Sequence, residues 1–433
     1  LAEYAVLDLW IDRLRRFGLD VTALALFSAP AGVSIGLGLV TLAFALRLFR
    51  RPAWPVSPAV AIAAGFTVYV LMLGASARYP GGTFDVRFET ALQWAQLLVF
   101  VPVAYLLAGE QRRVLRLLGL ALIGLILGAL WRLDWALLLS EPGDFVQSRP
   151  GFGFPPIVFA LFSGTALLGL VTLRRRCWGG DGRRALRLAL CWLVTLAVAQ
   201  GFLLTLSRGA WLALALTVGV GLLAGVRSAP QRPSLRVALV LGTAATVLAV
   251  IYAGPMAERL AAEWEAVRGI LAGEIAYAPE SSLSQRWHAQ RFGLAAWLQH
   301  PWLGWGPGAA EALLAASQDP AVVMIGHGPI DHLHNTYLEV MVQLGLVGLV
   351  LWLALFLMLL QSVRLAGNAG RIDPDLERFL RFAVVYLMLW CLFDFHALHQ
   401  SWRAYWALLA GSALSVGLFV RSADGATRGG GGG

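Results

Sequence analysis

Lysine is absent from this 433-residue chain, and charged residues of all kinds make up only 14% of it. A soluble domain of this size needs nearer a quarter charged residues to cover its surface, so a soluble globular fold is excluded. The 34 basic residues are therefore all arginines, and they leave a net charge of +9. They gather in short loops at alternate ends of apolar runs, which is the positive-inside pattern of a membrane protein and not a nucleic-acid groove. Cysteine is scarce as well. Cys177 falls in an Arg-rich loop and Cys191 and Cys391 in apolar runs, so none is placed for a disulfide or a thiolate metal site. Neither GxxxxGK[ST] nor a GxGxxG after a strand occurs, which removes the two common phosphate cradles of nucleotide-binding proteins.

Apolar residues, by contrast, are abundant: 58% of the chain, with a mean hydropathy of +0.70. Runs such as Pro155–Leu173, Val237–Pro255 and Gly345–Leu360 are long enough to cross a hydrocarbon core of about 30 Å at about 1.5 Å per residue. Backbone groups in lipid must be satisfied within the segment, so these runs become helices. The expected fold is an all-α polytopic membrane protein of eleven or twelve crossings with one large helical outward loop.

The crossings are expected near 27–48, 57–75, 90–108, 114–131, 155–173, 187–206, 210–226, 237–254, 345–361, 380–395 and 404–420. Arg50–Arg51, Arg112–Arg116, Arg174–Arg187, Arg227–Arg236, Arg364–Arg381 and Arg421 mark every second connection as cytoplasmic. The connections 76–89, 132–154, 207–209, 255–334 and 396–403 then face outward. Residues 1–26 are amphipathic with charges in their middle, which suits an interfacial helix or a degenerate first span. The chain divides into an N-terminal bundle (1–254), the large outward loop (255–334), C-terminal helices (335–422) and a tail (423–433). Gly429–Gly433 reads as an added, disordered extension. Within the large loop, Met256–Ala272 (with Glu258, Glu263 and Arg268) and Ser284–Gln299 carry helical patterns, and Pro301–Gly308 is turn-rich.

Histidines 288, 300, 327, 332, 334, 396 and 399 are all seven placed at or near the outward face. Most are read as ordinary polar residues of longer loops, with one or two reserved for chemistry, since histidine is the commonest general base near neutral pH. The densest candidate is Asp331-His-Leu-His-Asn-Thr-Tyr-Leu-Glu339, at the exit of the large loop. His332 and His334, joined by His327 or by His396 and His399, offer zinc ligands. The spacing is not HExxH and no CxxC supports it, so no metal is assigned.

Arg208 lies in a turn almost too short to solvate it, and a guanidinium held there calls for an anionic partner. Arg286, with Arg291 five residues on, offers the fork geometry that matches phosphate oxygens. Asp394 and Arg403 flank the last outward hairpin, where the carboxylate either orients a histidine or satisfies Arg403. These residues give an outward base and arginines for a phosphate-bearing ligand, which fits a donor carrying its own activation, such as a lipid-linked diphosphate sugar. A transporter or flippase of an anionic lipid-linked substrate is the alternative of another class. Transporters tend to place their ionisable residues near the midplane, whereas these cluster at one face.

At these residues the sequence resembles the O-antigen ligase family of bacterial inner membranes, grouped with O-antigen polymerases and protein O-oligosaccharyltransferases. His334-Asn335, nine residues, then Gly345-Leu-Val-Gly348 is similar to the family's H[NSQ]-x9-GxxG pattern. Leu206-Ser-Arg-Gly209 resembles its short outward turn, Ser284-Gln-Arg286-Trp its arginine-bearing loop helix, and Pro301–Gly308 the glycine-rich stretch that follows. The resemblance covers roughly residues 200–350 in order. It implies that His334 is the catalytic base, that Arg208 and Arg286 grip undecaprenyl diphosphate, and that Asn335 orients the histidine. It further implies an inverting transfer of O-antigen polysaccharide to a sugar hydroxyl of lipid A-core, on the periplasmic side of the inner membrane, without metal, ATP or other cofactor. His332, Arg291, Asp394 and Arg403 are the remaining candidates for substrate contact. The polymerase and the protein O-glycosyltransferase share the donor and differ in acceptor. Gly345 and Gly348, three apart, also read as a close helix–helix contact.

Overall fold

The computed structural model describes residues 2–50, 57–174, 184–225, 267–273, 282–318 and 331–418, with isolated residues between 254 and 322. Almost all of the expected crossing at 237–254, Cys177, the Arg227–Arg236 connection, Glu258, Glu263, His327 and Arg421 lie outside the described residues.

The described residues form helices and no strands. In chain order these are α1 (Ala2–Ala25), α2 (Pro30–Arg50), α3 (Pro58–Ser76), α4 (Phe84–Ala95), α5 (Phe100–Leu107) and α6 (Gln111–Trp131). The short α7 (Trp135–Ser140) and α8 (Pro142–Gln147) follow, then α9 (Pro156–Thr172), α10 (Arg184–Leu204) and α11 (Arg208–Gly225). After them come α12 (Ser282–Gln299), α13 (Ala309–Ala315), α14 (Thr336–Asn368), α15 (Pro374–Trp390) and α16 (Gln400–Leu418). A 3-10 turn, Gln96–Val99, joins α4 to α5.

Among the described residues, six spans are long and apolar enough to cross a membrane: Pro30–Arg50, Pro58–Ser76, Phe84–Leu107, Gln111–Trp131, Leu186–Leu204 and Thr336–Asn368. The chain is a multi-pass membrane protein. Every expected crossing within the described residues is a helix, although three begin six or more residues early, at Phe84, Thr336 and Pro374, and the one expected to reach residue 395 stops at Trp390.

The N-terminal stretch, open on sequence alone, is helical and packs along α2. Small residues make this possible: a Cβ on Gly36 would lie 2.3 Å from Thr22 Oγ1, and one on Gly32 2.6 Å from the Ala25 Cβ. The same helix runs beside α6, where a Cβ on Gly124 would meet the Leu24 carbonyl oxygen at 2.3 Å. Arg15, mid-helix, is only 3% exposed and donates to Leu106 O at 3.2 Å.

At the centre lies an aromatic stack. Trp352, Trp402 and Trp406 lie nearly parallel, with Trp402 and Trp406 at 5.8 Å and 7°, while Trp94 meets Trp352 edge-on at 5.8 Å. Large aromatic surfaces bury the most area per residue. This stack extends to Phe395, 5.9 Å from Trp94, and so fastens the 391–399 loop to the core.

The turns at one end of the bundle are tied together. Arg132 donates to Phe27 O and Ser28 O, Arg149 to Thr205 O, Tyr79 to Pro307 O and Gln400 to Pro30 O. At the other end, Gln111 bonds Asp373 and Gly109 N donates to Ser415 Oγ.

Candidate functional site

The site is built where α14 begins. Asn335 is its N-cap: Oδ1 accepts from Tyr337 N at 3.0 Å and from Leu338 N at 3.1 Å, satisfying two amides the helix cannot pair itself. His334 immediately precedes the cap with φ +52, a left-handed conformation that a non-glycine residue adopts at a steric cost. Thr336 ties this helix start to the 391–399 loop, its N–H donating to Cys391 O at 2.8 Å and its hydroxyl to Asp394 O at 2.6 Å.

Those ties bring Asp394, 2% exposed, between two imidazoles. Asp394 Oδ1 accepts from His332 Nε2 at 3.1 Å and from His334 Nδ1 at 3.2 Å, and Oδ2 lies 3.8 Å from His396 Nδ1. The other ring nitrogen of His332 bonds Asp331. Of the two partners open to Asp394 on sequence, the structure thus selects histidine. Arg403 lies in the first turn of α16, pairs with no carboxylate among the described residues, and has a buried Nη1 without a hydrogen-bond partner. His334 is hydrogen-bonded by Asp394, while the amide oxygen of Asn335 is taken up by the cap.

These contacts set the charges. Burial opposes ionisation of Asp394, but the hydrogen bonds and charge of the histidines hold it well below the usual carboxylate range. Burial likewise opposes a charge on His332, yet Asp331 and Asp394 together lift it to about 10. His334 moves the other way. Burial lowers it, and the charges of His332 and Arg286 push in the same direction, against the pull of Asp394. At neutral pH the group is therefore an imidazolium (His332), a carboxylate (Asp394) and a neutral imidazole (His334). An ionised Asp394 requires the proton of His334 on Nδ1, which leaves the Nε2 lone pair free. Burial also lowers His396 and His399, the latter beside the Arg403 charge.

His332, His334 and Asp394 each present a ligand atom within 4.8 Å of the others, so the same set can hold a metal ion. In the arrangement seen, the nitrogens nearest Asp394 are engaged as hydrogen-bond donors to it.

Of the arginines, Arg286 on α12 is half-buried and its charge bears on His334. Arg208 opens α11, half-buried, after a tight turn in which Leu206 takes φ +48. This turn reaches the site through Gly209, where a Cβ would lie 2.7 Å from that of Phe393, the neighbour of Asp394. Arg291 is exposed, further along α12.

Two motifs read separately in the sequence support one another. Gly345 takes φ +64 and kinks α14. A Cβ there would lie 2.2 Å from the Trp302 carbonyl oxygen. The kink frees backbone groups that Pro301–Gly306 takes up: Trp305 N donates to Val342 O, Gly306 N to Gln343 O, Leu346 N to Pro301 O and Val347 N to Trp302 O, at 2.8–3.2 Å. The first glycine of GxxG therefore serves a docked loop, in place of the helix–helix contact its spacing suggested.

A buried relay below the site was not singled out from sequence. Glu339 accepts from Leu333 N, between the two histidines, at 3.0 Å, and from Gln343 Nε2 at 2.9 Å. Gln343 Oε1 in turn accepts from Trp94 Nε1 and Gly308 N, both at 3.0 Å. The signal was present in the sequence: Glu339 and Gln343, two polar residues one turn apart, directly ahead of a long apolar run.

No curated protein matches the sequence. Residues 193–353 match the family model described as O-antigen ligase, a stretch that holds the Arg208 turn, α12, the docked loop and the histidine pair.

Proposed function

We propose that the protein is an inverting, metal- and ATP-independent glycosyltransferase of the bacterial inner membrane that moves a polysaccharide from undecaprenyl diphosphate to a sugar hydroxyl of lipid A-core. The observation that carries this reading is the hydrogen bond between His334 Nδ1 and Asp394, which leaves the opposite ring nitrogen as a base, beside the cationic Arg286. His334 Nε2 takes the proton of the acceptor hydroxyl as that oxygen attacks the anomeric carbon of the donor. The bond from that carbon to the diphosphate breaks, and the diphosphate leaves with the electron pair. Arg286 and Arg208 stabilise its growing charge, which is where fixed cations lower a barrier most. Asp394 holds the ring and stabilises the imidazolium as it forms. Asn335, His332, Arg291 and Arg403 line the substrate path, and the site faces the periplasm.

Acceptor choice separates this reading from its relatives. Purified protein is given undecaprenyl-diphosphate-linked glycan with lipid A-core, and separately without it. Glycan attached to lipid A-core supports the ligase. Donor consumed into longer chains in both mixtures assigns a polymerase, and donor relocated across a vesicle without any covalent product assigns a flippase.

A further inference from the structure

The end of the bundle opposite His334 carries its own concentration of charge. An open cavity of about 340 Å3 lies between α1 and the α5–α6 turn, with Arg15, Arg16, Arg112, Arg113 and Arg116 in its wall. Three carboxylates answer these five guanidiniums: Asp12 pairs with Arg15 and Arg16, Glu110 with Arg113 at 2.5 Å, and Asp20 with Arg116 at 2.5 Å. Two positive charges are left over.

Two features separate this wall from ordinary solvated arginines at a membrane edge. Arg15 is 3% exposed, and its Nε is buried without a hydrogen-bond partner while its other nitrogens hold Asp12 and Leu106 O. A buried donor with no acceptor costs about 1–3 kcal/mol, more when charged. Arg112, at the rim, is exposed and its side chain makes no hydrogen bond or ion pair among the described residues. Leu19, Leu107 and Leu117 supply an apolar side to the same cavity.

From this cavity we infer a binding site for the headgroup phosphate of an anionic phospholipid. An arginine wall with charge to spare matches phosphate oxygens by paired N–H donors. The spans Phe84–Leu107 and Gln111–Trp131, each long and apolar enough to cross a membrane, have their ends at the cavity rim, which puts the arginines where headgroups meet acyl chains. A ligand with an anionic head and acyl tails fits that combination, and basic pockets between membrane helices bind such headgroups. The site is independent of the transfer chemistry at the other end.

The test uses the full chain in detergent, titrated with short-chain phosphatidylglycerol, with phosphatidylcholine, or with inorganic phosphate. Binding is read from the rise in melting temperature. Phosphatidylglycerol is expected to stabilise the wild type, with the other two giving a much smaller shift. Arg112→Gln, exposed and unpartnered and so safe for folding, should weaken phosphatidylglycerol about fivefold, the effect of one basic residue near a membrane surface. Arg15→Gln should weaken it further if it folds. Arg13→Gln, on the exposed face of α1 and outside the cavity wall, should leave it unchanged. Equal stabilisation by phosphatidylcholine, equal stabilisation by inorganic phosphate alone, or an equal loss in Arg13→Gln would each overturn the assignment.

Discussion

Replacing Asp394 with Asn is the sharpest probe of the site, because the shapes are nearly identical and only charge and acceptor capacity change. The wild-type Oδ1 serves two imidazoles at 3.1 and 3.2 Å. An amide oxygen can still accept from one of them, but the amide nitrogen cannot accept at all, and the negative charge is gone. The His334 tautomer with its proton on Nδ1 is then no longer enforced. A hydrogen bond to a charged group contributes about 1.5–3 kcal/mol. If that stabilisation is lost from the imidazolium that forms in the transition state, kcat falls roughly 10- to 150-fold, at about 1.36 kcal/mol per factor of ten. Substrate affinity should change little, since Asp394 is 2% exposed and faces the histidines. The assay is steady-state transfer onto lipid A-core with purified variant, alongside its melting temperature. A kcat within twofold of wild type, in a variant that folds normally, would refute the orienting role.

In the proposed mechanism the base works only when neutral, so with the pKa of His334 below the ordinary histidine value the pH profile should show an acid limb below 6.5. Arg286→Gln removes a cation that pushes this pKa down, so the acid limb should move to higher pH while the rate falls; an unmoved limb would remove Arg286 from the neighbourhood of the base. Gly345→Ala should destabilise the protein by more than the ~1–2 kcal/mol expected for a left-handed residue, since its Cβ would also meet the Trp302 carbonyl oxygen at 2.2 Å. A lower melting temperature checks this, and an unchanged one would show that the kink relaxes freely. Gln343→Leu strands Trp94 Nε1 and Gly308 N and takes a donor from Glu339, at about 1–3 kcal/mol for each buried group. It should lower both the melting temperature and kcat, and a stable, fully active variant would show that the relay does not hold the histidine loop.

Much of this was legible in the sequence because membrane helices announce themselves through long apolar runs. The crossings at 57–75, 114–131 and 155–173 reappear as helices with ends shifted by a few residues. Span 90–108 begins earlier, at Phe84, because Thr83 caps a turn containing Asp85, Arg87 and Glu89 that hydropathy alone assigns to a loop. The His332–His334 cluster and Asp394 were each visible as candidates, but their pairing was not. It joins positions 60 and more residues apart through the Thr336 and Cys391 contacts, and no periodicity encodes such a closure. Gly345 shows the same limit. Its spacing to Gly348 carries a helix-packing reading, whereas the positive φ and the docking of Pro301–Gly306 belong to tertiary structure.

Removal of the His334 imidazole decides whether that residue is the base of a metal-free glycosyl transfer. Wild type and His334→Ala are purified, shown to melt alike, and incubated with undecaprenyl-diphosphate-linked glycan and lipid A-core, without ATP and with or without EDTA. Product is expected from wild type at the same rate in both conditions, and none from His334→Ala. Product from the variant, or wild-type activity abolished by EDTA and restored by a divalent ion, would contradict it; the latter would reassign His332, His334 and Asp394 as metal ligands.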